Sequence, residues 1–262
     1  MIRGVLFDLD GVLYDGERPI PGAAAAVETI RHAGLPSLFV TNTTSRPRSD
    51  LASKLARLGV PARPEEFLTP AVVAAAWIRS HGQARAALFV PQATREDFRG
   101  VEADSGTDPV ELRYVVIGDL GAGWDYATLN RAFRLLHGRP DRDLVALGLT
   151  RYWQSPDGAN LDVAPFAAAL ECATGKKAVV MGKPAAAFFQ QASGILGLAP
   201  GELLMIGDDL HADALGAKSA GLRSALVRTG KFQPSDLDAE VQPDWVLDSV
   251  QDLPALLADS CQ

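Results

Sequence analysis

Short apolar runs that end abruptly in polar loops constrain this chain more than any other feature. Val5-Leu6-Phe7 runs into Asp8-Leu9-Asp10-Gly11, and Leu38-Phe39-Val40 runs into Thr41-Asn42-Thr43-Thr44-Ser45. Much further on, Ala178-Val179-Val180-Met181 leads to Gly182-Lys183-Pro184, and Leu203-Leu204-Met205-Ile206 leads to Gly207-Asp208-Asp209. Runs this short, bounded by turn formers, read as buried strands. Segments with helical spacing lie between them: Ala23–Ala33, closed by Gly34; 49–58, with Leu51, Leu55 and Leu58, closed by Gly59; and Ala185–Leu196. Strands and helices in alternation give a parallel sheet flanked by helices, whose ligand crevice lies at the carboxyl ends of the strands. The expected fold class is α/β with a Rossmann-like parallel-sheet core.

The middle of the chain reads as a second unit. Ala87-Leu88-Phe89-Val90, Tyr114-Val115-Val116-Ile117 and Leu144–Leu147 have the character of strands, and Tyr126–Leu136 that of a helix. Val101–Asp108 is acidic and turn-rich, as a surface connection would be. The expected organisation is a core formed by residues 1–82 and 178–262, with an α/β domain inserted at 83–177. A chain of 262 residues is long enough for two packed units.

Composition narrows the function classes. Hydrophobic residues make up 47% of the chain and charged residues 22%, so a sizeable core is expected rather than disorder. A net charge of -7 argues against nucleic acid or an anionic membrane as partner. No apolar run approaches the roughly 20 residues of a membrane-spanning helix. Met1 to Asp8 runs straight into a strand without a signal peptide, and the expected location is cytoplasmic. The two cysteines, Cys172 and Cys261, have no metal-site or redox spacing. His32, His81, His137 and His211 are scattered without the partners of a zinc site. The turn holding Gly118, Gly121 and Gly123 lacks a dinucleotide fingerprint. Trp124, Tyr126, Tyr152 and Trp153 fall in the inserted domain, where they could line a pocket, pack that domain or meet a second subunit.

The chemistry is concentrated at the strand ends. In an extended chain the side chains of Asp8 and Asp10 point to the same side, so both carboxylates can face one crevice. One carboxylate can attack phosphorus and form an aspartyl phosphate, while the other protonates the leaving oxygen and then activates water. Their mutual repulsion would help to raise the pKa of the proton donor. A solvated acidic turn is the plain alternative. Thr41 and Asn42 can hold a phosphate oxygen without adding charge, or can simply belong to a polar loop. Lys183 can neutralise phosphoryl charge. Asp208, Asp209 and Asp213 suit a hard divalent cation, with Asp208 as the ligand; Asp209 could instead cap the following helix.

Together Asp8-Leu9-Asp10-Gly11-Val12-Leu13-Tyr14, Val40-Thr41-Asn42, Gly182-Lys183-Pro184 and Gly207-Asp208-Asp209-x-x-x-Asp213 resemble the haloacid dehalogenase superfamily. The long insertion resembles the larger α/β cap of its p-nitrophenyl phosphatase-like branch. Arg151-Tyr152-Trp153, Leu161-Asp162-Val163-Ala164-Pro165-Phe166 and Arg228-Thr229-Gly230-Lys231-Phe232 extend that likeness over nearly the whole chain. The resemblance implies a Mg2+-dependent phosphatase acting on a small phosphorylated substrate. It makes Asp8 the nucleophile and Asp10 the general acid/base. Asp8, Asp208 and the backbone carbonyl of Asp10 would hold Mg2+, with Asp213, ahead of Asp209, steadying a metal-bound water. Thr41, Asn42 and Lys183 would hold the phosphoryl group. A homodimer through the cap is a further implication. Two alternatives stay open on the same loops: a receiver-like domain that accepts phosphate without turning over, and a phosphotransferase.

Overall fold

The computed structural model describes residues 1–82, 85–103, 111–155 and 157–259. Cys261, the turn-rich stretch from residue 104 to 108 and the expected domain edge at 83 lie outside the described residues. Cys172 is free and exposed.

In chain order, the first segment holds β1 (Gly4–Asp8), β2 (Tyr14–Asp15), β3 (Arg18–Pro19), α1 (Ala23–His32), β4 (Ser37–Val40), α2 (Arg48–Arg57) and β5 (Phe67–Leu68). The middle segment holds α3 (Pro70–Ser80), β6 (Arg85–Phe89), β7 (Glu102–Ala103), β8 (Tyr114–Ile117), α4 (Tyr126–Leu136) and β9 (Asp143–Ala146). It continues with β10 (Tyr152–Ser155), β11 (Gly158–Leu161), α5 (Val163–Thr174) and β12 (Val179–Val180). The last segment holds α6 (Ala186–Leu196), β13 (Leu203–Gly207), α7 (Gly216–Ser219), β14 (Arg223–Val227), β15 (Trp245–Leu247) and α8 (Leu253–Asp259).

Two compact units emerge. One comprises Met1–Thr41, Arg48–Leu68 and Lys183–Gln262; the other comprises Asn42–Pro47 and Thr69–Gly182. The first unit is built on a parallel sheet of order β15-β14-β13-β1-β4-β5. Alternate residues of its central strands, Val5 and Phe7 on β1 and Leu204 and Ile206 on β13, enter one apolar cluster. Val27 and Ile30 of α1, Leu51 and Leu55 of α2, and Leu253 and Leu257 of α8 close that cluster. Period two on the strands thus meets the helical period on the covering layer. The chain runs outward from β1 through β4 to β5 on one side, and from β13 through β14 to β15 on the other. The order therefore reverses between β1 and β13, which is where a doubly wound sheet opens a crevice.

The second unit has its own parallel sheet, β12-β9-β8-β6-β7. Phe89, Val115, Ile117 and Leu144 pack with Leu135 and Leu136 of α4 and Leu170 of α5. Trp124 is stacked between Phe89 and Phe166, at 5.8 and 4.8 Å between ring centroids, so it packs this unit. Tyr126, Tyr152 and Trp153 are exposed.

Two placements differ from the sequence reading. Val179 and Val180 pair with Val145 and Ala146, so the strand before Lys183 completes the second sheet rather than the first. Residues 69–82, including α3, also group with the second unit. Apolar strands of two or three residues look alike whichever sheet they join, because pairing is decided by distant partners.

Candidate active site

β1 ends at Asp8 and β13 at Gly207, and the two strands are paired neighbours through Phe7 and Ile206. Asp8 and Asp208 therefore emerge side by side at the switch point. Asp213 joins them through the turn that follows. Asp209 caps the helical turn Leu210–Leu215, its Oδ1 accepting from the backbone N–H groups of His211 (3.0 Å) and Ala212 (2.9 Å). That turn swings Asp213 back over Gly207, so closely that a Cβ on Gly207 would fall 2.3 Å from the Cβ of Asp213. One carboxylate oxygen from each of Asp8, Asp208 and Asp213 lies within 4.8 Å of the others. All three residues are buried.

Lys183, 175 residues after Asp8 in the sequence, enters this acidic cluster. Its Nζ is 2.5 Å from Asp8 Oδ1 and 2.6 Å from Asp213 Oδ1, and its side chain is only 3% exposed. Burial alone would lower its pKa, but the ion pairs with Asp213 and Asp8 outweigh burial and raise it. Lys183 is thus a fixed cation here, not a base. Asp213 Oδ2 also accepts from the backbone N–H of Asp209 at 3.2 Å.

Asp208 is in a different state. Burial pushes its carboxyl up to about 7, and the neighbouring Asp8 adds to the rise. Its Oδ2 accepts from the Lys231 N–H at 2.7 Å, whereas Oδ1 is buried with no hydrogen-bond partner among the described residues. A buried carboxylate oxygen without a donor is costly unless a ligand satisfies it. Asp8, Asp208 and Asp213 together offer three hard oxygen donors, which fit a divalent cation such as Mg2+.

After Asp8 the chain turns tightly, with the Leu9 carbonyl accepting from Leu13 N at 2.8 Å. Asp10 is exposed, outside the buried carboxylate cluster, and its Oδ1 accepts from Gly16 N at 3.3 Å. Thr41 is buried just beyond β4, the neighbour of β1, and its N–H donates to the Leu68 carbonyl at 3.2 Å. Asn42 begins the portion grouped with the second unit, and a Cβ on Gly182 would come within 2.9 Å of its Oδ1. Asp209 combines its capping bonds with an ion pair to Lys231 at 3.5 Å. Lys231 is a contributor that strand-end reasoning passes over, because it lies four residues beyond β14 rather than directly after it.

Known proteins resemble the chain in sequence and in fold. A family model described as haloacid dehalogenase-like hydrolase covers residues 5–104, and a second, HAD-hydrolase-like, covers residues 180–253. The phospholysine phosphohistidine inorganic pyrophosphate phosphatase of Xenopus laevis is 42% identical over 240 residues, spanning 90% of this chain and 86% of that one. The structure of a p-nitrophenyl phosphatase from Archaeoglobus fulgidus superposes with a TM-score of 0.87 at 25% identity, covering 97% of this chain and 99% of that one. A glycerol phosphate phosphatase from Mycobacterium tuberculosis, in complex with calcium, gives a TM-score of 0.83 at 27% identity, covering 96% and 74%. These relatives are enzymes, and the receiver-like alternative finds no favour among them.

Proposed function

The chain belongs to the haloacid dehalogenase-like hydrolases, and from that premise we propose that it is a Mg2+-dependent phosphatase working through an aspartyl phosphate on Asp8. The observation that carries the proposal is the meeting of Asp8, Asp208, Asp213 and Lys183 at one buried point, with an unsatisfied carboxylate oxygen on Asp208. Asp8, Asp208 and the Asp10 backbone carbonyl would hold Mg2+, which when bound neutralises charge on the phosphoryl oxygens. Asp213 would steady a water on that cation, with Asp209 holding the turn that presents it.

The rest of the chemistry falls to the chain's own side chains. Lys183 fixes the Asp8 carboxylate through their ion pair and adds positive charge where a phosphoryl dianion must sit. Asp8 attacks phosphorus, and the bond to the leaving oxygen breaks as Asp10 gives that oxygen a proton. Asp10, now ionised, takes a proton from water, which attacks the aspartyl phosphate and releases inorganic phosphate and free Asp8. The exposure of Asp10 suits a group that exchanges protons with water and leaving group in turn. Thr41 and Asn42 would hold phosphoryl oxygens without adding charge.

The substrate class is a small phosphorylated compound. Relatives named for phospholysine, phosphohistidine and pyrophosphate make those the first compounds to assay, beside nucleotides, sugar phosphates and pyridoxal phosphate. We place the enzyme in the cytoplasm, where small phosphorylated metabolites are plentiful; among the described residues no helix is long and apolar enough to cross a membrane. A second copy of the chain is proposed to pair against the β10–β11 hairpin, which exposes Tyr152, Trp153 and Leu161. Sedimentation of the wild type beside Trp153→Ser tests that pairing.

Replacing Asp8 by Asn tests the central claim. Cation-dependent turnover of p-nitrophenyl phosphate is expected to fall by at least about a thousandfold, with the circular dichroism of the native protein retained. A folded Asp8→Asn enzyme that still turns over removes Asp8 as nucleophile.

A further inference from the structure

Past β14 the chain turns back towards the acidic cluster in a segment that strand-end chemistry does not use. Thr229 Oγ1 donates to the Gly11 carbonyl at 2.5 Å, and the Lys231 N–H donates to Asp208 Oδ2 at 2.7 Å. Gly230 lies between them at φ +62°, and a Cβ there would fall 2.1 Å from Asp208 Oδ2 and 2.6 Å from the Gly11 Cα. Gly11 encloses the same oxygen from the other side: at φ +82°, its Cβ would also fall 2.1 Å from Asp208 Oδ2. Both backbones are left-handed, a conformation glycine adopts without strain.

Oδ2 of Asp208 is therefore gripped by two glycines and one backbone donor. Its other oxygen, Oδ1, is buried and without a hydrogen-bond partner among the described residues, on a residue only 2% exposed. The asymmetry matters for coordination. A carboxylate with both oxygens free can chelate through both, as large, loosely ordered Ca2+ sites accept, whereas Mg2+ prefers one oxygen per position of a small octahedron. Outer hydrogen bonds that hold a ligand in one pose raise affinity for the preferred cation.

We propose that residues 229–231 form a positioning strap, which commits Asp208 Oδ2 to the Lys231 N–H and leaves Oδ1 as the one-oxygen ligand for a small divalent cation. Thr229 ties that choice to the loop carrying Asp8 through its bond to Gly11. The strap thus sets the preference for Mg2+ over Ca2+. The inference rests on the cation-site reading proposed above.

The test uses the full-length protein and needs no turnover. Mn2+ binding is followed by electron paramagnetic resonance, with Mg2+ and Ca2+ as competitors, and folding is checked by circular dichroism. Thr229→Val, nearly isosteric but without the hydroxyl, should weaken Mn2+ binding about tenfold and lower the Mg2+-to-Ca2+ preference. Thr229→Ser should restore both to within about twofold of wild type, since it keeps the donor. Gly230→Ala should lower Mn2+ affinity furthest; should it fail to fold, the Thr229 pair decides. Wild-type affinity and selectivity in Thr229→Val would overturn the strap, as would a loss in Thr229→Ser equal to that in Thr229→Val. Asp208→Asn separates the two levels. If it binds Mn2+ like wild type, the cation-site reading fails; if it loses Mn2+ while Thr229→Val does not, only the strap fails.

Discussion

Replacing Lys183 by Met probes the balance of charge on which the site rests. The Lys183 Nζ lies 2.5 Å from Asp8 and 2.6 Å from Asp213, and the three side chains are 3%, 11% and 2% exposed. Methionine has similar length and volume, so the cavity contribution is small. What remains is two buried carboxylates without their cation, and removing one partner from a buried ion pair costs about 3–5 kcal/mol. That is a large share of an ordinary domain's stability of roughly 5–15 kcal/mol. The cost must also depend on pH. Burial and Asp8 both push the Asp213 carboxyl upward, and Lys183 is the charge that opposes them. Without Lys183, an acid whose folded pKa is raised destabilises the fold as pH rises through that pKa, and the penalty fades as it is protonated. The gap between wild type and Lys183→Met should therefore be widest near pH 8 and narrow towards pH 5. Adding Asp213→Asn removes one of the stranded charges and should recover about 1–3 kcal/mol. Urea denaturation of chelator-treated protein measures the gap, and hydrogen exchange of peptides spanning β1 and β13 localises it to the core unit. Equal urea midpoints for wild type and variant at pH 8 would show that Lys183 does not balance these carboxylates.

Further outcomes follow from the same charges. Because the Asp208 carboxyl is pushed up to about 7, cation binding must release its proton, and affinity should climb by up to about tenfold per pH unit below 7 before levelling off; calorimetry in buffers of different ionisation enthalpy that shows a flat profile from pH 5 to 8 would contradict this. The same group should make chelator-treated protein lose stability as pH rises from the ordinary carboxylate range through about 7, a loss that Mg2+ removes. In the second unit Asp162 caps α5, and burial, then the charge of Asp119, raises its carboxyl to about 6. Asp162→Asn keeps a good cap and should stabilise this unit at pH 8 by roughly 1–2 kcal/mol after solvent screening is discounted, with the advantage vanishing near pH 4; a variant no more stable than wild type at pH 8 would remove the electrostatic account.

The sequence exposes Asp8, Thr41 and Asp208 because each terminates a short apolar run, and in a parallel sheet a strand's end is also its place in the crevice. The same logic reached Lys183 by a flawed route. Val179-Val180 has the look of a core strand, yet its partners are Val145 and Ala146 in the other sheet, and Lys183 is brought to Asp8 by the chain beyond it. Apolarity reports that a strand is buried; it cannot report beside which strand. What stayed hidden altogether was the grip on Asp208. The donor is the main-chain N–H of Lys231, which any residue except proline could supply, and the enclosing surfaces are the bare Cα atoms of Gly11 and Gly230. Side-chain chemistry marks which carboxylates can bind a cation, whereas the choice of oxygen rests on backbone that leaves little trace in residue type beyond glycine. The division has a physical origin: ligand identity is encoded one residue at a time, but ligand orientation arises where three distant loops meet.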